Sequence, residues 1–376
     1  MKSPVKRRKE ITVKGSMVAL YDLECALKQM KTITCATVGL LSLSLLASGQ
    51  TEPLKLLRRI HVDPLGSAGA VDGCEFSKDG KLISASDNHG RCYVYRVSDG
   101  AEVGKVTHHL MKNESHHKDG EINAVPFSYD GRYFCTGRND DGTKVWRTSD
   151  YGLEKHLIDD AETDGIDFSP NGKWLAAGED GVLNIYSLPK FMLIQSFSAG
   201  KGSVNSIDFS FDCALLAYAK SDGQVRIVRS SDWTITKAFK NRGSASLKSV
   251  RFSPDAKYLA YSGGKQSCFV QRVSDWQQVA DLKHKGNMKA LPGDDHDKDV
   301  KVESVAWSQD SNYLFSSSVV DGKMHVWKRS DWSLLTKVQA QDENRAIEFI
   351  DVSIDNKVVV GGDDGDIHLF QFTPPK

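Results

Sequence analysis

Short runs of alternating apolar and polar residues, each cut off by a tight-turn signal, fill the chain from about residue 54 onward, and one of these runs recurs. It reads CEFSKDGKLISAS from Cys74, VPFSYDGRYFCTG from Val125, IDFSPNGKWLAAG from Ile166, IDFSFDCALLAYA from Ile207, VRFSPDAKYLAYS from Val250, VAWSQDSNYLFSS from Val305 and IDVSIDNKVVVGG from Ile350. The seven anchors, Phe76, Phe127, Phe168, Phe209, Phe252, Trp307 and Val352, are spaced by 51, 41, 41, 43, 55 and 45 residues. An alternating segment before each anchor, a turn at Asp-Gly or its equivalent, and a short apolar run such as Lys173-Trp174-Leu175-Ala176-Ala177 predict two strands of a hairpin. A second tight turn, at Asp141-Gly142, Asp180-Gly181, Asp222-Gly223, Asp321-Gly322 or Asp364-Gly365, supplies the positive φ that a hairpin needs and leads to a third strand such as Thr143-Lys144-Val145-Trp146. Ser-Asp at 98, 149, 231, 274 and 330 marks the turn to a fourth strand, for example Trp276–Leu282.

A base period of 41–45 residues holding four strands is the period of a propeller blade. The expectation is therefore all-β: a seven-bladed β-propeller of four-stranded antiparallel blades. The last repeat ends in a third strand, Asp366 to Phe372, with no fourth after it, and residues 54–62 precede the first repeat with no blade of their own. They are expected to pair as the outer strand of the last blade and so close the ring.

The F-S-P-D-G-like boxes at Phe168 (F-S-P-N-G) and Phe252 (F-S-P-D-A), the L-A-x-G/S strand and the Asp-Gly turn before an aromatic resemble the WD-repeat (WD40-type) family, over residues from about 54 to 372. The pattern departs from that family in two ways. The position of the family's Trp-Asp pair reads Tyr95-Arg96, Trp146-Arg147, Tyr186-Ser187, Val228-Arg229, Gln271-Arg272, Trp327-Lys328 and Phe370-Gln371, and no Gly-His pair precedes a first strand. The resemblance then implies that the family's His–Ser–Asp–Trp network is complete in no blade, leaving packing and turns to hold each one.

Residues 30–49, MKTITCATVGLLSLSLLASG, place a lysine before an apolar run of Ala36 to Leu46 and then Ala47-Ser48-Gly49, the pattern of an export signal cleaved near Gly49. The run is shorter than the roughly 20 apolar residues a bilayer span needs. The chain divides accordingly into 1–29, an upstream extension or misassigned start, 30–49, a signal peptide, and 50–376, the propeller. The first 49 residues hold eight of the 49 basic residues and three of the 49 acidic ones, so the remainder is mildly acidic and offers no global field for nucleic acid. Cys74, Cys92, Cys135, Cys213 and Cys268 are scattered over different repeats and outline no disulfide framework; the first three sit among apolar strand residues and read as buried side chains.

Four residues before each anchor stand Asp72, Asn123, Asp164, Asn205, Lys248, Glu303 and Glu348, polar in every repeat amid apolar neighbours. In a propeller that position rings the mouth of the central channel, and the set forms an acid-leaning rim able to receive a cationic side chain or a polar ligand. Basic residues after the strand-three aromatic, among them Arg147, Arg229 and Arg272, lie three residues before Asp150, Asp232 and Asp275 and are expected to pair locally across the turn. Two inserts lengthen the period: Thr107 to Asp119, with four histidines, and Lys283 to Lys301. Asp295-x-Asp297-x-Asp299 begins like a calcium loop, but Val300 stands where Gly is needed and Ala306 where the closing Glu belongs. No H-E-x-x-H, C-x-x-C, G-x-S-x-G or phosphate-cradling glycine loop occurs. The sequence thus points to an exported, monomeric scaffold, secreted or periplasmic, that binds a protein or peptide at the channel mouth and inserts, with no cofactor, metal, nucleic acid or stable membrane span. The alternative is an exported propeller enzyme or a small-molecule or metal-binding protein.

Overall fold

Among the described residues 28 strands form seven four-stranded antiparallel sheets; in the first six repeats the four strands follow one another in chain order, and the last repeat supplies three strands of the seventh sheet. The computed structural model describes residues 52–62, 69–108, 121–138, 141–158, 161–179, 181–198, 200, 202–240, 246–263, 267–284, 302–317, 322–341 and 345–375. The segment read as extension and signal and most of both inserts fall outside these residues, and Leu54–Pro374 forms the compact unit described below. The innermost strands are Val71–Phe76, Ile122–Ala124, Thr163–Phe168, Val204–Phe209, Val250–Phe252, Val305–Trp307 and Ile347–Val352, and each contacts the next in cyclic order, the seventh returning to the first. The last sheet takes its outer strand from the start of the unit: Leu54–His61 runs antiparallel to Asp366–Phe372, with Leu54 opposite Phe372 and His61 opposite Asp366.

The core is not inside the blades but between them. Each of seven buried clusters joins two neighbours, as where Phe168 and Leu175 of the third blade meet Cys135 and Val145 of the second. Cys74, Cys92, Cys135 and Cys268 are buried, and all five described cysteines are free. The small residue one before the end of the second strand follows from the same packing: a Cβ on Gly178 would lie 2.5 Å from Val204 Cβ of the next blade, and one on Gly361 would lie 2.7 Å from Val71 Cγ1.

The Ser-x-Asp turn has one construction in all seven repeats. The hydroxyl of Ser77, Ser128, Ser169, Ser210, Ser253, Ser308 or Ser353 donates to the Asp or Asn two residues on, at 2.6–2.9 Å. The same oxygen accepts the backbone N–H that opens the second strand, at 2.9–3.0 Å. The next residue is left-handed in every repeat: Gly80, Gly131 and Gly172, but also Cys213, Ala256, Ser311 and Asn356. At the outer turn an aromatic takes that conformation, Tyr151, Phe191, Trp233, Trp276 or Trp332, with φ between 51° and 58°. Packing on the preceding blade offsets the strain: Phe191 sits 5.3 Å from Tyr133, Trp233 5.1 Å from Trp174 and Trp332 5.6 Å from Tyr258, ring centre to ring centre, all edge-on.

One expectation is overturned. The second blade holds a complete network: Trp146 Nε1 donates to Thr136 Oγ1 at 2.8 Å, the Thr136 hydroxyl meets His108 Nε2, and His108 Nδ1 lies 3.1 Å from Asp141. The histidine enters from the end of the preceding blade's outer strand, without a glycine before it, which is why the missing Gly-His pair misled. Burial holds His108 down to about 4, so the ring is neutral and can accept from Thr136 while donating to Asp141. The sixth blade repeats the His–hydroxyl–Trp part of this arrangement, with His284 Nε2 and Trp327 Nε1 both 2.8 Å from Ser316 Oγ. The third uses another chemistry: Glu179 accepts from Asn184 at 2.6 Å and from the Tyr186 hydroxyl at 2.9 Å.

The left-handed turn position gives a direct test. Ala256→Gly removes a strained Cβ and should stabilise the protein by about 1 kcal/mol, whereas Gly172→Ala should destabilise it by a similar amount, since a Cβ there meets nothing within 4 Å and only the backbone is perturbed. Thermal melts should show the two variants displaced in opposite directions by about 2 °C.

Candidate functional site: the central channel

The innermost strands all run the same way along the channel, so a residue four before the anchor lies near one end of it in every blade and the residue just before the anchor lies deeper. Asp72, Asn123, Asp164, Asn205, Lys248, Glu303 and Glu348 accordingly surround one cavity of about 250 Å3. They are half-buried, except Lys248, which is exposed. Asn123 Nδ2 donates to Asp164 Oδ1 at 2.8 Å, and Asn205 Nδ2 donates to the Leu247 carbonyl at 2.8 Å, so both amides tie their blade to the next. Glu75, Glu121 and Glu162 line the same space, bringing the carboxylates to seven against two cations, Lys248 and Arg251.

Crowding of like charge in a confined space disfavours ionisation. Burial, then Glu121, raises Asp72 well above the usual carboxylate range, and Asp72 Oδ2 is buried with no hydrogen-bond partner. Burial, then Glu303, does the same to Glu348. Burial and Glu162 push Asp164 up to about 6. A cation entering this mouth would find acids whose ionisation it favours.

Deeper in, Arg251 narrows the channel. Its guanidinium donates to Ser206 Oγ at 3.0 Å and to the Val250 carbonyl at 2.9 Å, and lies 4.0 Å from Glu75 of the first blade. Beyond it opens a larger cavity of about 520 Å3, and Glu75, Ile166, Ile207 and Arg251 line both. The sequence reading passed over the ring at this depth. Its signal was an acid just before the anchor in four repeats, Glu75, Asp167, Asp208 and Asp351. Three of them reach across to the next blade, where Asp167, Asp208 and Asp351 accept from the backbone N–H of Phe209, Phe252 and Phe76 at 2.8, 2.6 and 2.8 Å.

The other candidates separate from the channel. Arg147, Arg229 and Arg272 pair locally with Asp150, Asp232 and Asp275 at 2.8–3.1 Å. Among the described residues the one group of at least three possible metal ligands within 4.8 Å of one another is Asp364, Asp366 and His368 on the last blade, and the Arg59 side chain hydrogen-bonds both carboxylates. His108 and His284, at the starts of the two inserts, serve the blade networks; the rest of the first insert's histidines and the Asp295, Asp297 and Asp299 run lie outside the described residues. No helix among the described residues is long and apolar enough to cross a membrane.

Comparison with known proteins gives a family match and partial relatives. The family model described as WD domain, G-beta repeat matches residues 107–147, 155–187, 191–228 and 290–328. The chain is similar to the Gastrulation defective protein 1 homolog of Drosophila melanogaster, 30% identical over 121 residues, which are 31% of this chain and 17% of that protein. It is similar to Target of rapamycin complex subunit LST8-1 of Arabidopsis thaliana, 32% identical over 79 residues, 21% of this chain and 25% of that protein. With Small ribosomal subunit protein RACK1y of Oryza sativa subsp. japonica it shares 25% identity over 137 residues, 35% of this chain and 41% of that protein. The matched stretches thus span less than half the length of these relatives.

The acid mouth yields a pH prediction. Asp164 is raised from 3.8 to about 6, so its contribution to stability falls as pH rises through that window, because the folded state holds the proton that the unfolded chain has already released. Asp164→Asn keeps an acceptor for Asn123 and removes the charge. Melting temperatures of the variant and the parent should nearly coincide at pH 4, and the variant should melt higher at pH 7; a gap of equal size at both pH values would contradict the assignment.

Proposed function

This chain belongs to the WD-repeat family of β-propellers, and from that premise we propose that it is an exported scaffold that holds a protein or peptide partner by a basic side chain at the acidic channel mouth. The observation that carries the reading is the convergence of one strand position from all seven repeats on a single cavity with seven carboxylates and two cations. A lysine or arginine from a partner matches that excess, and the fixed wall of inner strands presents it without reorganisation. Anionic partners such as nucleic acid fit neither this mouth nor the mildly acidic body. Export is supported by the lysine, apolar run and small-residue site of residues 30–49.

Two measurements test the two halves of the proposal. N-terminal sequencing of protein recovered outside the cytoplasm should begin at or near Gln50, and a cytoplasmic product retaining Leu40 to Leu46 would remove the case for export. For the mouth, Asp72→Asn, Asp164→Asn, Glu303→Gln and Glu348→Gln combined should weaken binding of a partner captured from the extracellular or periplasmic fraction by tenfold or more, and the loss should shrink at high salt. Neutralising Arg147, Arg229 and Arg272 at the outer turns should leave binding nearly unchanged. Equal losses from both sets, or none from the mouth set, would place the partner elsewhere.

A further inference from the structure

The middle position of the Ser-x-Asp turn lies at the far end of the channel from the acidic mouth and is apolar in five of seven repeats: Tyr129, Pro170 and Pro254, which are half-buried, and Phe211 and Ile354, which are exposed. Phe211 is 58% exposed and Ile354 61%, so burial within the fold does not explain them. With Tyr129 and Pro254 they edge the 520 Å3 cavity, a volume in the range of small-ligand and side-chain pockets. Below this apolar lip lie the carboxylates of Glu75, Asp167, Asp208 and Asp351.

We propose that this lower mouth is a second docking site, built for a peptide segment that carries an arginine or lysine between apolar neighbours. The two tiers match the two parts of such a side chain: its stem passes Tyr129, Phe211 and Ile354, and its charged head reaches Asp167 and Asp208. Long basic side chains bury their methylenes along apolar surface while keeping the head among polar groups. The chain's own Lys78 already places Nζ 5.0 Å from the centre of the Tyr129 ring, where burial opposes its charge and Tyr129 and Glu75 favour it. The cations lining this cavity are Lys78 and Arg251, fewer than the four carboxylates beneath the lip. Burial raises Asp208 well above the ordinary carboxylate range and pushes Glu75 up to about 7, so an arriving cation should release protons from the ring. Phosphate-bearing partners are excluded by the same carboxylates.

This site is independent of the reading of the upper mouth, and the test keeps the two apart. The full chain is titrated into a fluorescein-labelled peptide Phe-Arg-Leu-Arg-Phe, and into the same peptide with citrulline at both arginine positions, with binding read by fluorescence anisotropy. The arginine peptide should bind, and the citrulline peptide at least tenfold more weakly. The lip pair F211S/I354S and the floor pair D167N/D208N should each weaken the arginine peptide at least tenfold. Phe211 and Ile354 are exposed, and the asparagine amide oxygens can still accept from Phe209 and Phe252, so both pairs should fold, as a thermal melt checks. Equal binding of the two peptides, no binding of the arginine peptide up to millimolar concentration, or no effect of the lip pair overturns the proposal. Loss of binding in D72N/D164N with retention in the lip pair would seat the cation at the upper mouth and overturn it too. So would self-association of the parent chain that the lip pair abolishes, which would mean that a second copy covers this face.

Discussion

A four-stranded sheet has two faces and no interior, and everything in this molecule follows from the need to cover both faces of seven such sheets. Each blade is the wall of its neighbour's core. Leu54, Phe370 and Phe372 of the last blade complete the cluster begun by Phe315 and Val326 of the sixth, and Ile60, Ile367 and Leu369 complete that of the first. No blade can therefore be removed without opening two clusters, and the ring has to return on itself. The strand Leu54–His61 fills the outer place of the last sheet for that reason: the last repeat provides three strands, and the first residues of the unit provide the fourth.

The same arrangement concentrates charge. A polar residue at one position in one strand is an unremarkable strand end; repeated around a ring it becomes a collar of acids facing one another across a narrow space. The fold tolerates this because many of these groups also act as ties. Asp167, Asp208 and Asp351 each hold a backbone N–H of the following blade, and Asn123 holds Asp164. Charge that would be costly as an isolated buried group is thus part of the seam between blades, and the proposed basic partner would meet the remaining excess of carboxylate.

The fold was legible because the pattern is written seven times, so that turn chemistry and alternation in one repeat are checked by six others. The upper rim was legible for the same reason, one residue per repeat at a fixed offset. Three features escaped. His108 and His284 were hidden because they stand at the end of the preceding blade's outer strand, separated from their own blade by inserts of variable length, so no fixed spacing announces them. The inner acid ring was interrupted by Pro126, Arg251 and Ala306, and its role is a contact to the next blade that local sequence does not encode. The apolar lip lay within a motif whose Ser and Asp drew attention away from the residue between them, and its meaning depends on exposure, which only packing decides.

Sheet order in the last blade also fixes how the ring responds to tension. Leu54, where the unit's first strand begins, stands directly opposite Phe372, where its last strand ends. A pull on the two ends of the unit acts on that single rung, then on Lys55 and Gln371, and so on toward His61 and Asp366, rather than shearing all the rungs at once. Loaded this way the ladder peels like a zipper and yields at low force, whereas a pull across any other blade meets sheets whose strands are joined by continuous chain. If the unit is ever tethered at both ends, the seventh blade is where it opens, and Leu54, Phe370 and Phe372 are the first core residues to meet water.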